Sequence, residues 1–257
     1  MSLKRRDFIR LSAGKASLGT ALVYGLSSFT TPGETRPVTG TVLDELEPMI
    51  ADVTPITLQE RLARVEKAQR LMVENKIEAL LLDSGTSLTY FTGISWWPSE
   101  RTMVAIIPAK GDVKYVSPAF EAERLRELIK IGTDVRTWEE HESPYKQIAA
   151  TLKDMGIRTG NIGIEERLRF FIFDGVRKEA AHLNYISGDP VTMRCRLIKS
   201  PAEIALLQKA NDITIAAYRV GIALLHEGMS PGDFGTITAD AHSRLGASGE
   251  IGVNFGQ

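Results

Sequence analysis

The chain is 257 residues long, 43% hydrophobic and 25% charged, globular proportions that exclude disorder and collagen-like repeats. Its 31 Lys and Arg against 32 Asp and Glu leave a formal net charge of −1, so composition gives no basic footprint for nucleic acid. One cysteine, Cys195, excludes an intrachain disulfide framework and any zinc site built from several cysteine ligands.

The amino terminus reads as an address. Arg5 and Arg6 precede a short apolar anchor, Phe8-Ile9, and then Arg10. Leu11 to Phe29 is moderately apolar, rich in Ser, Gly and Ala, and carries only Lys15 as a charge. An n-region followed by an h-region of this kind resembles a bacterial twin-arginine export signal, which implies an extracytoplasmic or periplasmic location. An ordinary amphipathic amino terminus is the alternative. Lys15 and the small polar residues make the run a poor membrane span, and no A-x-A cleavage site is clear after Phe29. Residues 30–55, with Pro32, Gly33, Pro37, Gly40, Pro48 and Pro55, read as a linker, so residues 1–54 form a signal-and-linker segment.

A compact α/β domain is expected over residues 55–190. Thr57 to Glu60 has the pattern of a capping box, and Leu58, Leu62, Val65, Ala68 and Met72 then mark one apolar helix face. Ile77 to Leu82 is a short apolar run ended by Asp83-Ser84-Gly85, the pattern of a buried strand and its turn. Thr102–Ile107 and Val113–Ser117 read as two strands of a hairpin around Lys110-Gly111-Asp112. Helices are expected at Ala119–Ile129, Ser143–Met155 and Arg169–Ala181, and strands at Val135–Trp138, Asn161–Ile164 and near Tyr185. Such alternation implies a sheet covered by helices.

Between the first two strands, Trp96, Trp97 and Arg101 fall in a stretch interrupted by Pro98. Aromatic and arginine side chains on loops are enriched at binding surfaces, so these three are candidate substrate or subunit contacts. The alternative is that both rings cap the sheet and Arg101 is a solvated neighbour.

Ser200-Pro201-Ala202-Glu203 opens a further helix, with Ile204, Leu207, Ala210, Ile213, Ala217, Val220 and Leu224 on one stripe until Gly228. Ser230-Pro231-Gly232-Asp233 opens another, with Phe234, Ile237, Ala241 and Leu245. Each needs a partner layer. Residues 191–257 therefore read as the start of a second domain, cut off before it can build a sheet.

Leu80-Leu81-Leu82-Asp83-Ser84 with Leu88-Thr89-Tyr90-Phe91-Thr92-Gly93 resembles the amino-terminal domain of the aminopeptidase P, prolidase and creatinase family. Arg196 to Ile204, centred on Lys199-Ser200-Pro201-Ala202-Glu203, resembles the junction into that family's pita-bread catalytic domain. The resemblance runs from about Thr57 to Gln257 and implies a creatinase-like α/β domain followed by an incomplete α+β pita-bread domain. It also implies a hydrolase that removes a residue preceding proline, acting on peptides and using two divalent metals, usually manganese. The family's ligands, two aspartates, a histidine and two glutamates, come from beyond the two helices that close this chain. Ile251 to Gln257 resembles the approach to the first catalytic strand, and no residue here matches a ligand. No catalytic or metal residue is therefore assigned, no cofactor is expected on this chain, and the chain alone is expected to be inactive. A homo-oligomer is compatible with the resemblance.

Nothing else supplies a site. Glu139-Glu140-His141-Glu142 has ligand-type side chains, but consecutive ones, which suits a solvated acidic loop. His182 carries no pattern; His226 suits a helix C-terminus, and His242 a lone surface or packing position. Cys195, flanked by Arg194 and Arg196, is either a half-buried structural residue in a strand or a reactive thiol. There is no H-E-x-x-H, G-x-S-x-G or Walker A sequence. Two other readings stay open: a creatinase-like hydrolase of a small amidine-bearing substrate, and a non-enzymatic domain that binds peptides or a partner.

Overall fold

The computed structural model describes residues 39–247, which divide into two compact units between Glu45 and Leu46. Arg5, Arg6 and Ile251 to Gln257 lie outside the described residues. The described part of the first unit is one short helix, α1 (Thr39–Asp44), inside the expected linker.

The second unit opens with α2 (Leu58–Glu74). Thr57 is its N-cap, and its hydroxyl accepts the Glu60 amide at 3.1 Å. The Glu60 carboxylate does not close the expected capping box; it binds Arg64 and Ser200 instead. Val65, Ala68 and Met72 are buried as expected, whereas Leu58 and Leu62 face solvent. Then follow β1 (Ile77–Leu82), α3 (Thr86–Thr92), β2 (Val104–Pro108) and β3 (Lys114–Pro118). After a 3-10 turn at Ala119–Glu121 come α4 (Ala122–Leu128), β4 (Asp134–Trp138), α5 (Pro144–Asp154) and β5 (Asn161–Ile164). The domain is completed by α6 (Phe170–Glu179), β6 (Asn184–Ser187) and α7 (Asp189–Leu197).

The six strands form one sheet in the order β4-β3-β2-β1-β5-β6. The expected hairpin is present, β2 pairing with β3 antiparallel, and β1 is antiparallel to β2 but parallel to β5. The outer pairs β3–β4 and β5–β6 are parallel. Both faces of β1 are covered, which explains its unbroken apolar run. Leu80 and Leu82 join a core with α2, α3 and α7, while Ala79 and Leu81 join a second core with α5 and α6.

Two local expectations are corrected. Thr86–Thr92 is helical, so the loop carrying the tryptophans is shorter than expected and begins at Gly93. Cys195 lies in helix α7, not a strand, and is fully buried, because Val191 and Cys195, four residues apart, point one helix face into the α2 core. Helix α7 thus runs across residue 190 and packs with the α/β domain.

The last two helices are α8 (Pro201–Ala223) and α9 (Pro231–Arg244), each opened by a complete capping box. They are each other's partner: Ile213, Ala217 and Gly221 of α8 are buried, as are Phe234, Thr238 and Ala241 of α9. A Cβ at Gly221 would lie 2.4 Å from Thr238 Cγ2, so glycine permits this close crossing. Ile204, Leu207, Ile215 and Ile222 of α8 remain exposed. The end of the expected linker is tied to the same pair, by the Met49 amide to the Leu245 carbonyl (2.9 Å) and by Asp52 to Lys209 (2.8 Å).

Candidate functional site

The carboxyl ends of β1 and β5 carry a buried polar cluster. Asp83, immediately after β1, has a side chain only 2% exposed and accepts from Arg169 Nε at 2.6 Å and Nη2 at 3.1 Å. Glu165, immediately after β5, accepts from the Ser87 hydroxyl and the Arg167 amide, both at 2.9 Å. Arg169 also donates to the Ser99 carbonyl. Crossed charges and hydrogen bonds therefore fasten α3, the start of α6 and the loop of residues 93–103 to the carboxyl ends of the interior strands β1 and β5. A buried carboxylate is tolerable only because each is paired in this way.

The same loop is braced at several other points. Gly93 adopts φ 81°, and a Cβ there would come within 2.9 Å of Arg61 Nε. The Ile94 carbonyl accepts the Thr89 hydroxyl (2.9 Å), and the Thr102 carbonyl accepts Trp138 Nε1 (3.0 Å). Trp96 turns inward, 8% exposed, with the Arg124 guanidinium 5.1 Å from its ring centre. Trp97 turns outward and is 83% exposed. Arg101 binds Glu140 at 2.7 Å as well as Glu100, and lies 5.1 Å over the Phe120 ring. The three candidate contacts thus share one loop but not one cluster: Trp96 supports it, Arg101 ties it down, and Trp97 is presented to solvent.

A second constellation lies where α2, α3 and α8 meet. Arg64, with a side chain 8% exposed, binds Glu60 at 2.9 Å, Glu203 at 3.2 Å and the Tyr90 carbonyl at 3.0 Å. Its guanidinium also sits 4.2 Å from the Tyr90 ring centre. The Tyr90 hydroxyl and Lys67 Nζ both donate to the Cys195 carbonyl, at 2.9 Å and 3.2 Å. Burial, reinforced by the Glu203 charge, pushes the Tyr90 phenol up to about 12, so it is a hydrogen-bond donor and not a base at neutral pH. The Ser200 hydroxyl holds the Glu60 carboxyl below its ordinary range, with Arg64 assisting. A cavity of about 400 Å³ opens beside this network, lined by Arg61, Arg196, Lys199, Leu206 and Leu207 among others.

The remaining candidates do not converge. In the Glu139–Glu142 loop one carboxylate binds the Glu139 amide (2.9 Å from Glu142) and another binds Arg101. His141, His182 and His226 are exposed, and His242 faces the Thr214 hydroxyl at 3.3 Å. Among the described residues no three His, Cys, Asp or Glu side chains come together in a metal-holding group. Burial pushes the Cys195 thiol up, against the nearby Lys67 and Arg194 charges, which opposes a thiolate nucleophile. Sequence reasoning passed over Glu165, Arg169 and Ser99. Asp83 and Glu165 carried a signal, each a carboxylate placed directly after an expected strand, and Arg169 and Ser99 carried none.

A family model for the creatinase/prolidase N-terminal domain matches residues 64–198. Among curated relatives, an uncharacterized peptidase of Schizosaccharomyces pombe is 31% identical over 186 residues, spanning 67% of this chain and 40% of the relative. A Xaa-Pro dipeptidase of Pyrococcus horikoshii is 27% identical over 165 residues, spanning 64% and 43%. Among solved structures, a prolidase from Thermococcus sibiricus aligns with a TM-score of 0.66 at 21% identity, over 77% of this chain and 52% of that one. The dipeptidase PepE from Mycobacterium ulcerans aligns with a TM-score of 0.66 at 22% identity, over 75% and 52%. These two likenesses concern the fold. The chain spans about half the length, or less, of the curated relatives it matches.

Proposed function

The chain belongs to the creatinase/prolidase family through its amino-terminal domain, and we propose that it is the amino-terminal portion of an exported Xaa-Pro aminopeptidase-like metallopeptidase. The observation that carries this reading is the Arg64 joint. It unites Tyr90, from helix α3 of the amino-terminal domain, with Glu203, from the first turn of α8. A module that only bound a partner would not need to fix the outgoing helix with a buried ion network. A module that orients a following domain would.

The reaction proposed for the whole protein is hydrolysis of the peptide bond before proline. Two divalent metals would supply the polarised carbonyl and activated water. The described residues do not fit that metal pair, since no ligand trio forms among them. The role left to this chain is positional. The braced loop holds Trp97 outward as a wall of a peptide cleft or a contact to a neighbouring subunit, with Trp96 and Arg101 keeping it rigid. No helix among the described residues is long and apolar enough to cross a membrane; the twin-arginine pattern at Arg5 and Arg6 supports release beyond the inner membrane.

The test compares the 257-residue chain with the product of the uninterrupted reading frame, each supplied with manganese and a Xaa-Pro dipeptide. Turnover by the longer product and none by the shorter is expected. Turnover of creatine in place of the dipeptide, or turnover by the short chain, overturns the reading.

A further inference from the structure

The two edges of the sheet are treated differently. At one, β4 is screened by charge: Asp134 pairs with Lys114 (2.5 Å) and Arg136, and Arg136 pairs with Asp154. Charged edges of this kind resist addition of another strand. At the other, β6 reads Asn184-Tyr185-Ile186-Ser187, with no charge, and Asn184, Ile186 and Ser187 are exposed. The Asn184 and Gly188 amides donate to the Gly160 and Ile164 carbonyls of the β5 side. By the alternation of a strand, the backbone groups of Tyr185 and Ser187 point away from the sheet.

Beside this open edge lies a cleft of about 360 Å³ at the carboxyl ends of β5 and β6. Its floor is an aromatic row. Phe170 and Phe173 have ring centres 6.3 Å apart, and Phe173 meets Tyr185 edge-on at 5.8 Å. The Tyr185 hydroxyl is fixed to the Ala180 carbonyl at 3.0 Å, so the row is preorganised, yet Phe170 is 73% exposed. The polar lining is Glu166, Ser187 and the buried Glu165, whose carboxylate is taken by Ser87 and the Arg167 amide; among the described residues no lysine, arginine or histidine lines the cleft, and the exposed Glu166 has no ion-pair partner.

We propose that the β6 edge and this cleft form a docking site for an extended peptide that carries a positive charge next to an apolar side chain. The peptide backbone adds as a strand beside β6, taking hydrogen bonds from the outward Tyr185 and Ser187 groups. Its apolar side chain lies over Phe170, Phe173 and Tyr185, on the face where same-side residues of adjacent strands meet. The charge follows from the lining: the exposed Glu166 carboxylate, with no lining cation among the described residues, favours an amino terminus or a basic side chain over an acidic one. The site is remote from the Arg64 joint in sequence and needs no catalytic machinery.

The test is fluorescence anisotropy with the full chain and a carboxyl-labelled peptide, Lys-Thr-Phe-Thr-Val-Thr, which contains no proline. Saturable binding below about 1 mM is expected. Replacing Lys by Glu in the probe, or Phe170→Ala in the chain, is expected to weaken it about tenfold, a change of the size of one lost apolar or charge contact. Ser187→Pro removes an outward amide that an edge strand can spare, and is expected to abolish binding with the circular dichroism unchanged. Should that variant fold poorly, a probe N-methylated on alternate amides tests the same hydrogen bonds against the unmodified chain. Equal binding of the N-methylated probe, preference for the acidic probe, or no binding overturns the proposal. So does self-association that Ser187→Pro removes while peptide binding is absent. None of these results bears on Xaa-Pro turnover, so the two readings fail separately.

Discussion

The Ser200 hydroxyl donates to Glu60 Oε1 at 2.6 Å, joining the first turns of two helices through residues 140 positions apart. Ser200 is the N-cap of α8 and Glu60 stands in the first turn of α2. Each residue does two jobs. Ser200 also accepts the Glu203 amide at 3.2 Å, and Glu60 also binds Arg64 at 2.9 Å. The helix-start sequence around Ser200 is thereby both a local stop-and-start signal and a tertiary clasp.

Removing the cation at the centre of this clasp leaves Glu60 and Glu203 facing each other in a half-buried joint. Arg64→Ala is expected to destabilise the chain by about 3 kcal/mol, because breaking a buried pair strands its partners. Urea unfolding measures the loss. A double-mutant cycle with Glu203→Gln is expected to show coupling, since the two side chains lie 3.2 Å apart.

The same clasp gives the stability a pH dependence. The folded Glu60 carboxyl titrates below its ordinary 4.5, first because of Ser200 and then Arg64. Its stabilisation is complete above the unfolded value and is lost as pH falls through the depressed folded value. Urea midpoints measured from pH 7 down to about pH 3 are expected to decline once pH drops to the ordinary carboxylate value and to go on declining below it. In Ser200→Ala the part of that fall due to Glu60 should shrink.

Arg169 is expected to govern the loop that bears Trp97. Arg169→Ala leaves Asp83 buried without a cation and releases the Ser99 carbonyl, at a cost of about 3 kcal/mol. Amide exchange in residues 94–103 should accelerate in this variant more than exchange in β1. Lysine in its place should rescue little, because it cannot reach both Asp83 oxygens and Ser99 together.

Cys195 is expected to stay silent to a thiol reagent until the chain unfolds. Its thiol is buried in α7 against the α2 core, and burial pushes its titration up. Labelling in native buffer should be negligible over hours and complete in denaturant. Rapid native labelling would restore the reactive-thiol alternative.

The elements legible in the sequence are those with strong local chemistry. The β1 run, the hairpin at Gly111 and the helix starts at Ser200 and Ser230 stand where their patterns predicted. The misjudged places are ones where tertiary partners override local pattern. Glu60 left its own helix cap for Ser200 and Arg64. Cys195 sits in a helix because Val191 and Cys195 fit the α2 core while Met193 and Arg194 between them face solvent. The paired tryptophans were legible as a surface feature, but adjacent side chains of a loop need not share a face, and here one is buried and one is not. The Asp83–Arg169 pair spans 86 residues, so although Asp83 follows a legible strand its partner carries no local signature.

The most direct measurement is to read the source DNA past the codon for Gln257 in the same frame. The family reading expects an open frame that goes on to encode two aspartates, a histidine and two glutamates in family order, completing the domain that α8 and α9 begin. A stop codon directly after Gln257 contradicts the metallopeptidase reading of this protein and leaves a short family member whose work is binding.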